Sequence, residues 1–531
     1  MELLEAQGSL SRLNLRVLTW LDFENLYISS QLKNLSSSIS FLNLQIQGNE
    51  MYGTVPRILL KRLRSLKNLI QVKISFISFD FQDSKTFKRL FKSLLCLKKL
   101  KSLSIHFIIG GHSKGNQVDM ITKYLRRFTQ LQALQLNFDR CMNPSERDHY
   151  FQRKDILDHL PSVFSKLTHL TKVHLSFVGR RSIQARALTE LFKSFQSLKN
   201  LSDFTLNTLD LTLAPIANEA SSETLSESLV YLNASTLRRL SLHIYSFTDF
   251  ASLCKISRAL ERFTALELLH INLFGCGATS SKNLAQLSSS LTSFTSLASL
   301  NLTFPYSLQM KFVIGNVASA LNSLQQLVNL RLDFPNFRET ELEQLQQLAT
   351  SIGNLTYLQY LDLCFSSKRS MSDAAVISLS ENLQKLVLLK NLSLAFEGCI
   401  AITNTGIFAI VNAMTNLDLL SSLHLDFTNN PHIDEKVINK IGLLLQSRTS
   451  LYSFSLSMLS CVKLRENEDS FLGLFRSLKE ARHIQEVFLN IPETVVSKKE
   501  MERLKQRKII SFEIPESYNA STYEKMSLCL Q

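Results

Sequence analysis

Apolar positions along this chain alternate between two regimes, and the alternation returns about every 31 residues. In the first regime leucines mark an octet, Leu-x-x-Leu-x-Leu-x-Phe. It reads LKNLSLAF at Leu389–Phe396, LQYLDLCF at Leu358–Phe365 and LSSLHLDF at Leu420–Phe427. Other copies end at Phe138, Phe177, Phe304 and Phe334. With the second leucine numbered position 4, that position falls at Leu42, Val72, Leu103, Leu134, Val173, Phe204, Leu240, Leu269, Leu300, Leu330, Leu361, Leu392, Leu423, Phe454 and Val487. Eight of the fourteen intervals equal 31, which rules out coincidence and predicts stacked supersecondary units.

Around positions 4, 6 and 8, apolar and polar residues alternate, as in Leu330, Arg331, Leu332, Asp333 and Phe334. That is the signature of a short strand with one buried face. Upstream the spacing changes to three and four, as in Leu342, Leu345, Leu348, Ile352, Leu355 and Leu358, which predicts an amphipathic helix. Asp373, before Ala374–Val376, and Asp434, before Val437, are placed to start helices. Strand, turn, helix and return then wind as a right-handed coil with parallel strands on one side. Fifteen strands would span an arc of about 67 Å, and because helices are wider than strands the strand side is expected to be concave.

The octet, its period and the segment AITNTGIFAIVNAMTNLDLLSSLHLDFTNNPHIDEKVINKIGLLLQ resemble leucine-rich repeats of the ribonuclease-inhibitor-like class, over roughly residues 35–492. The resemblance implies an α/β horseshoe of about fifteen repeats, with a parallel concave sheet and convex helices. It also implies an Asn or Cys one residue after position 8, bonded to the backbone of the neighbouring repeat. Here that place holds Ile77, Ile108, Asp139, Val178, Pro305 and other residues, so such a ladder is expected to be absent. Position 8 itself is Phe in nine of fifteen units, which predicts a stacked aromatic spine. Residues 1–34, with the single Trp20, are expected to form an N-terminal cap, and 493–531 a C-terminal cap that includes a charged helix, SKKEMERLKQRK, and then a strand-like IISFEI. A long insertion lies between Asp139 and His159.

Composition narrows the class. Among 531 residues, Gly (15) and Pro (9) are scarce, and 45% hydrophobic with 20% charged residues describes a folded chain. The start, MELLEAQGSLSRLNLR, lacks a signal-peptide core, and no window is apolar enough to span a membrane. Eight cysteines show no metal-ligand spacing. A cytoplasmic location fits, and a nuclear one is compatible. The net charge of +14 is uneven: from Arg57 to Lys101, thirteen Lys/Arg face Asp80 and Asp83 alone.

Phosphate-loop, nucleophile-elbow, zinc-protease and kinase motifs are missing, so no enzyme, cofactor or metal is expected. Cys141, Cys276, Cys399 and Cys461 stand three residues after position 8, an inward place where a small buried thiol suffices. The outward positions 5 and 7 would form the concave face. They carry His106, Asn137, His174, His243, His270, Asn272, Arg331, Asp333, Asp362, His424 and Asp426, candidate contacts for a protein partner. The expected function is a non-catalytic scaffold or adaptor. The alternative is an RNA or other anionic ligand on a convex stripe of Lys85, Lys88, Arg89 and Lys92, spaced i, i+3, i+4 and i+7. A solvated helix face is the common explanation of such a stripe.

Overall fold

The computed structural model describes residues 11–17, 39–47, 57–77, 84–108, 116–139, 156–177, 185–208, 222–244, 251–273, 281–304, 310–335, 341–366, 371–465, 471–491 and 510–512. The chain divides into two compact units, Met1–Tyr306 and Ser307–Gln531. The first holds strands β1 (Arg12–Val17), β2 (Phe41–Gln47), β3 (Gln71–Ile77), β4 (Ser102–Ile108), β5 (Ala133–Asp139), β6 (Lys172–Ser176), β7 (Asp203–Thr208), β8 (Arg239–Ile244), β9 (Leu268–Asn272) and β10 (Ser299–Thr303). The second holds β11 (Asn329–Pro335), β12 (Tyr360–Ser366), β13 (Asn391–Ala395), β14 (Ser422–Asp426), β15 (Ser453–Ser457), β16 (Glu486–Asn490) and β17 (Ile510–Phe512). Within each unit every strand pairs in parallel with the next one in sequence, and helices occupy most of the described connections.

The register follows the octet. Leu42 pairs with Val72, Leu134 with Val173 and Phe204 with Leu240, although the last two intervals are 39 and 36 residues. Leu361, Leu392, Leu423, Phe454 and Val487 continue the same row in the second unit. Loop insertions therefore leave the pleat in phase, because a one-residue slip would turn every leucine out of the core. Two strands extend the row beyond the fifteen predicted ones. In β1, Leu13 pairs with Leu42, and the sequence LSRLNLRV is itself an octet; β17 pairs Ile510 with Val487. Trp20 and most of both predicted caps lie outside the described residues, as do residues 140–155 of the insertion.

The apolar stripe before each strand differs from the prediction. The helix Leu342–Gly353 ends before Leu355 and Leu358, and Leu342 is 41% exposed. Leu355 and Leu358 instead build a tight return in which their N–H groups reach the carbonyls of Ile352 and Leu355, both at 3.0 Å. Ile352, Leu355, Leu358 and Leu361 are all fully buried at a spacing of three. Three residues per turn is 3₁₀-like winding, which eclipses every third side chain and keeps one row facing inward until the strand begins.

Position 8 forms the predicted aromatic spine in both units. Phe76, Phe107, Phe138 and Phe177 stack at centroid distances of 5.4, 5.2 and 5.8 Å. Phe334, Phe365, Phe396 and Phe427 follow at 5.5, 5.9 and 6.1 Å. Buried Thr208 and Leu273 stand at the same place between them in sequence and break the aromatic series.

A backbone-bonding ladder is present after all, two residues later than the resemblance places it. Cys399 Sγ donates to the Phe365 carbonyl at 3.3 Å, Asn430 Nδ2 to that of Phe396 at 2.8 Å, and Cys461 Sγ to that of Phe427 at 3.2 Å. Cys399 and Cys461 are thus hydrogen-bond donors as well as small buried groups; Cys141 and Cys276 lie outside the described residues. The residue before each donor is left-handed: Gly398 at φ 67°, Asn429 at 62° and Ser460 at 60°. That twist turns the following side chain back under the strand of the preceding repeat.

Helix starts are shared between repeats. Asp434 caps its own helix, Glu435–Ser447, by accepting from Lys436 N at 3.0 Å, as expected. Asp373 does not. It is the first residue of the helix Asp373–Leu383, and its carboxylate accepts from Thr403 N (2.8 Å), Thr403 Oγ1 (2.5 Å) and Gly406 N (3.1 Å) at the start of the next helix, Asn404–Met414. Asn404 repeats the move one unit on, accepting from Asp434 N at 3.2 Å. No described helix is long and apolar enough to cross a membrane.

Candidate functional site

Most outward strand positions show a half-buried side chain on the face opposite the helices. The register decides which of them meet. In the first unit His106 stands beside Asn137, and Gln135 Nε2 donates to Asn137 Oδ1 at 3.3 Å. Asn207 stands beside His243, and His243 beside Asn272. The imidazoles of His243 and His270 meet edge to face at 4.3 Å. Burial and the neighbouring His174 lower the His243 pKa to about 4, so this ring is a neutral donor–acceptor at physiological pH. His270 stands beside Asn301, whose buried Oδ1 has no hydrogen-bond partner.

The second unit is more strongly charged. Arg331 Nε lies 3.4 Å from Asp362 Oδ2, and Tyr360 Oη donates to that same oxygen at 3.4 Å. Asp333, opposite Cys364, is pushed up to about 6 by burial, against the pull of Arg331. Burial raises the Cys364 thiol well above its ordinary range, which favours its protonated form. Glu397 is raised by burial and then by Asp426. His424 Nδ1 shares a 2.8 Å bond with Ser455 Oγ, while Asp426 is buried and accepts from Thr428 N at 2.8 Å. Two carboxylates around one guanidinium leave this face short of positive charge. It suits a ligand that brings a cation.

On the helix side, Lys88, Arg89 and Lys92 are exposed on the helix Ser84–Leu94, while Leu90, Phe91 and Leu94 are buried. The side chain of Lys85 lies outside the described residues. A shallow groove of about 470 Å³ runs between the helices Asn404–Met414 and Glu435–Ser447 and includes Val411, Lys440, Leu443 and Leu444. No metal-capable group of three or more His, Cys, Asp and Glu occurs among the described residues.

One surface was missed by sequence reasoning. Tyr357, Leu388 and Leu419, spaced by 31 residues, are 55%, 37% and 47% exposed, and Val387 beside them is 56% exposed. They sit in the return turns immediately before β12, β13 and β14. The same place in the first unit holds Asn68, Lys99 and Gln130. The signal was the doublets Leu388-Leu389 and Leu419-Leu420. Neighbouring residues in so tight a turn cannot both face inward.

Strand, return turn and helix, repeated with a parallel register and a shared core, define a leucine-rich-repeat solenoid. Among solved structures the chain is similar to internalin C2 from Listeria monocytogenes str. 4b F2365, with 16% identity and a TM-score of 0.28, covering 53% of this chain and all of that one. No family model and no curated protein sequence matches the chain.

Proposed function

We propose that this chain is a non-catalytic interaction scaffold of the ribonuclease-inhibitor-like class, acting in the cytoplasm or nucleus. It would hold a protein partner on the open sheet face and along the strand-entry edge of the second unit. The exposed column of Tyr357, Leu388 and Leu419 carries this reading. Three successive repeats place apolar groups in water at one structural position. A contiguous exposed apolar patch marks an interaction site on a folded protein far more often than an isolated exposed leucine does. Asp333 and Asp362, short of cations, supply the polar side of the same surface. The partner is a protein segment that offers both apolar side chains and a Lys or Arg. On the first unit's own open face, His106, Asn137, His174, His243, His270 and Asn272 would offer hydrogen-bond donors and acceptors to a partner.

The test is capture from lysate with the full chain as bait, comparing the wild type with Leu388→Glu/Leu419→Glu and with Asp362→Arg. A specific partner should be held by the wild type and lost from both variants, each checked for folding by circular dichroism. A partner set unchanged by either variant would sink the reading.

A further inference from the structure

We propose that the helix side of the first unit carries a second binding surface, which takes the phosphate backbone of a nucleic-acid duplex. Residues 60–127 contain sixteen Lys and Arg but only three carboxylates, Asp80, Asp83 and Asp119. The repeat organises the excess. Lys61, Lys92 and Lys123 recur at intervals of 31 residues, near the ends of the helices Arg57–Ser65, Ser84–Leu94 and Asn116–Leu125, and all three are exposed. Arg64 and Arg126 follow Lys61 and Lys123 by three residues and are exposed as well. Successive helices of this run contact one another. At about 8–10 Å between packed helix axes, the three lysines form a column roughly 16–20 Å long. Over that length one strand of a duplex presents about five phosphates, at ~3.4 Å of axis each. A column of fixed cations with few intervening acids matches such a partner.

The surrounding residues select among polyanions. An interface for a folded acidic protein needs an apolar or aromatic centre. Here Phe91, Tyr124 and Phe128 are turned inward and packed on one another at 5.8 and 6.4 Å, leaving Ile70 as the nearest large exposed apolar side chain among the described residues. Among the described residues, the same inward turn removes the platforms on which single-stranded bases stack. What remains is contact with backbone charge, which a duplex satisfies without unstacking. The surface is separate from the sheet face proposed for protein binding, so either can fail alone.

The test uses the full chain and fluorescence anisotropy against an RNA duplex of about two turns, a DNA duplex of equal length and the single strands from each, over a salt series. Vesicles of phosphatidylcholine with phosphatidylserine serve as a further arm. Lys61→Gln/Lys92→Gln/Lys123→Gln should weaken duplex binding at least tenfold. It should also flatten the slope of log affinity against log salt by about 2.7, at ~0.9 for each phosphate no longer neutralised. A control of equal charge change at exposed positions elsewhere, Lys166→Gln/Lys436→Gln/Lys463→Gln, should stay within about twofold of wild type. Equal losses in the two variants overturn the proposal, as do tighter binding of single strands and binding of vesicles without duplexes.

Discussion

At the residue scale, two ionisable side chains on the open face pull stability in opposite directions with pH. His243, lowered to about 4, binds its proton more readily in the unfolded chain. Its contribution is intact above about pH 6.5 and is lost as pH falls toward 4. Asp333, raised to about 6, gives up its proton more readily when unfolded. It costs nothing below about pH 4, and the full cost applies above pH 6. His243→Gln should therefore remove an acid-side loss, and Asp333→Asn should raise stability at pH 7 by about 1 kcal/mol or more. Urea midpoints measured from pH 4 to 7 check both, since the two variants must change the slope of stability against pH with opposite signs. A third residue carries backbone strain. Ser460 holds φ 60° where the preceding repeats use Asn429 and Gly398. Ser460→Gly should stabilise by about 1 kcal/mol, read from the same midpoints.

At the element scale, repeats are joined by bonds that no single repeat contains. Asn430 is fully buried and donates to the carbonyls of Phe396 and Phe427 at 2.8 and 2.9 Å. Asn430→Ala removes both amide bonds, leaving the Phe396 carbonyl only a 3.4 Å bond from Cys399 N and the Phe427 carbonyl only the Cys461 thiol, and should cost about 1–3 kcal/mol, while Cys399→Ala, which loses a weak S–H donor, should cost less. Gly406 faces Asp373 so closely that an added Cβ would lie 2.6 Å from Oδ1. Gly406→Ala should accordingly destabilise as much as Asp373→Ala does, and the double variant should fall short of the sum. Denaturant titration of the three chains decides it.

These elements also show what could be read from the chain. The register was fully legible, because Leu330, Leu361, Leu392 and Leu423 repeat a period-two code that tolerates no slip. The resemblance puts the ladder at Glu397 and Thr428, whereas the bonding residues of those repeats are Cys399 and Asn430, because a left-handed residue first reverses the chain. Asp373 reads as the cap of its own helix, since N-cap rules are local and its partner lies thirty residues on. Leu388 and Leu419 were lost among core leucines, as letter counts do not separate a helix period from a period of three.

At the scale of the whole molecule, each repeat touches its neighbours and little else, so stability is a sum of local terms along the chain. The repeats of β12 to β15 combine the aromatic spine, the ladder and shared helix caps. Near β7 to β9 the spine is broken at Thr208 and Leu273. Hydrogen exchange should therefore be faster in β8 than in β13 and β14, and equal protection would refute a local origin of stability.

The bonds between repeats run in both directions. Asp373 reaches forward to complete a later helix, while Cys399, Asn430 and Cys461 reach back to complete an earlier strand. During synthesis the newest repeat can receive its cap at once but must wait for its successor to seal its carbonyl. The growing end on the ribosome is thus always one repeat short of finished. A pause in translation between residues 399 and 430 would leave the Phe396 carbonyl without its 2.8 Å bond from Asn430, and the completion of folding would advance down the chain one turn behind the codons.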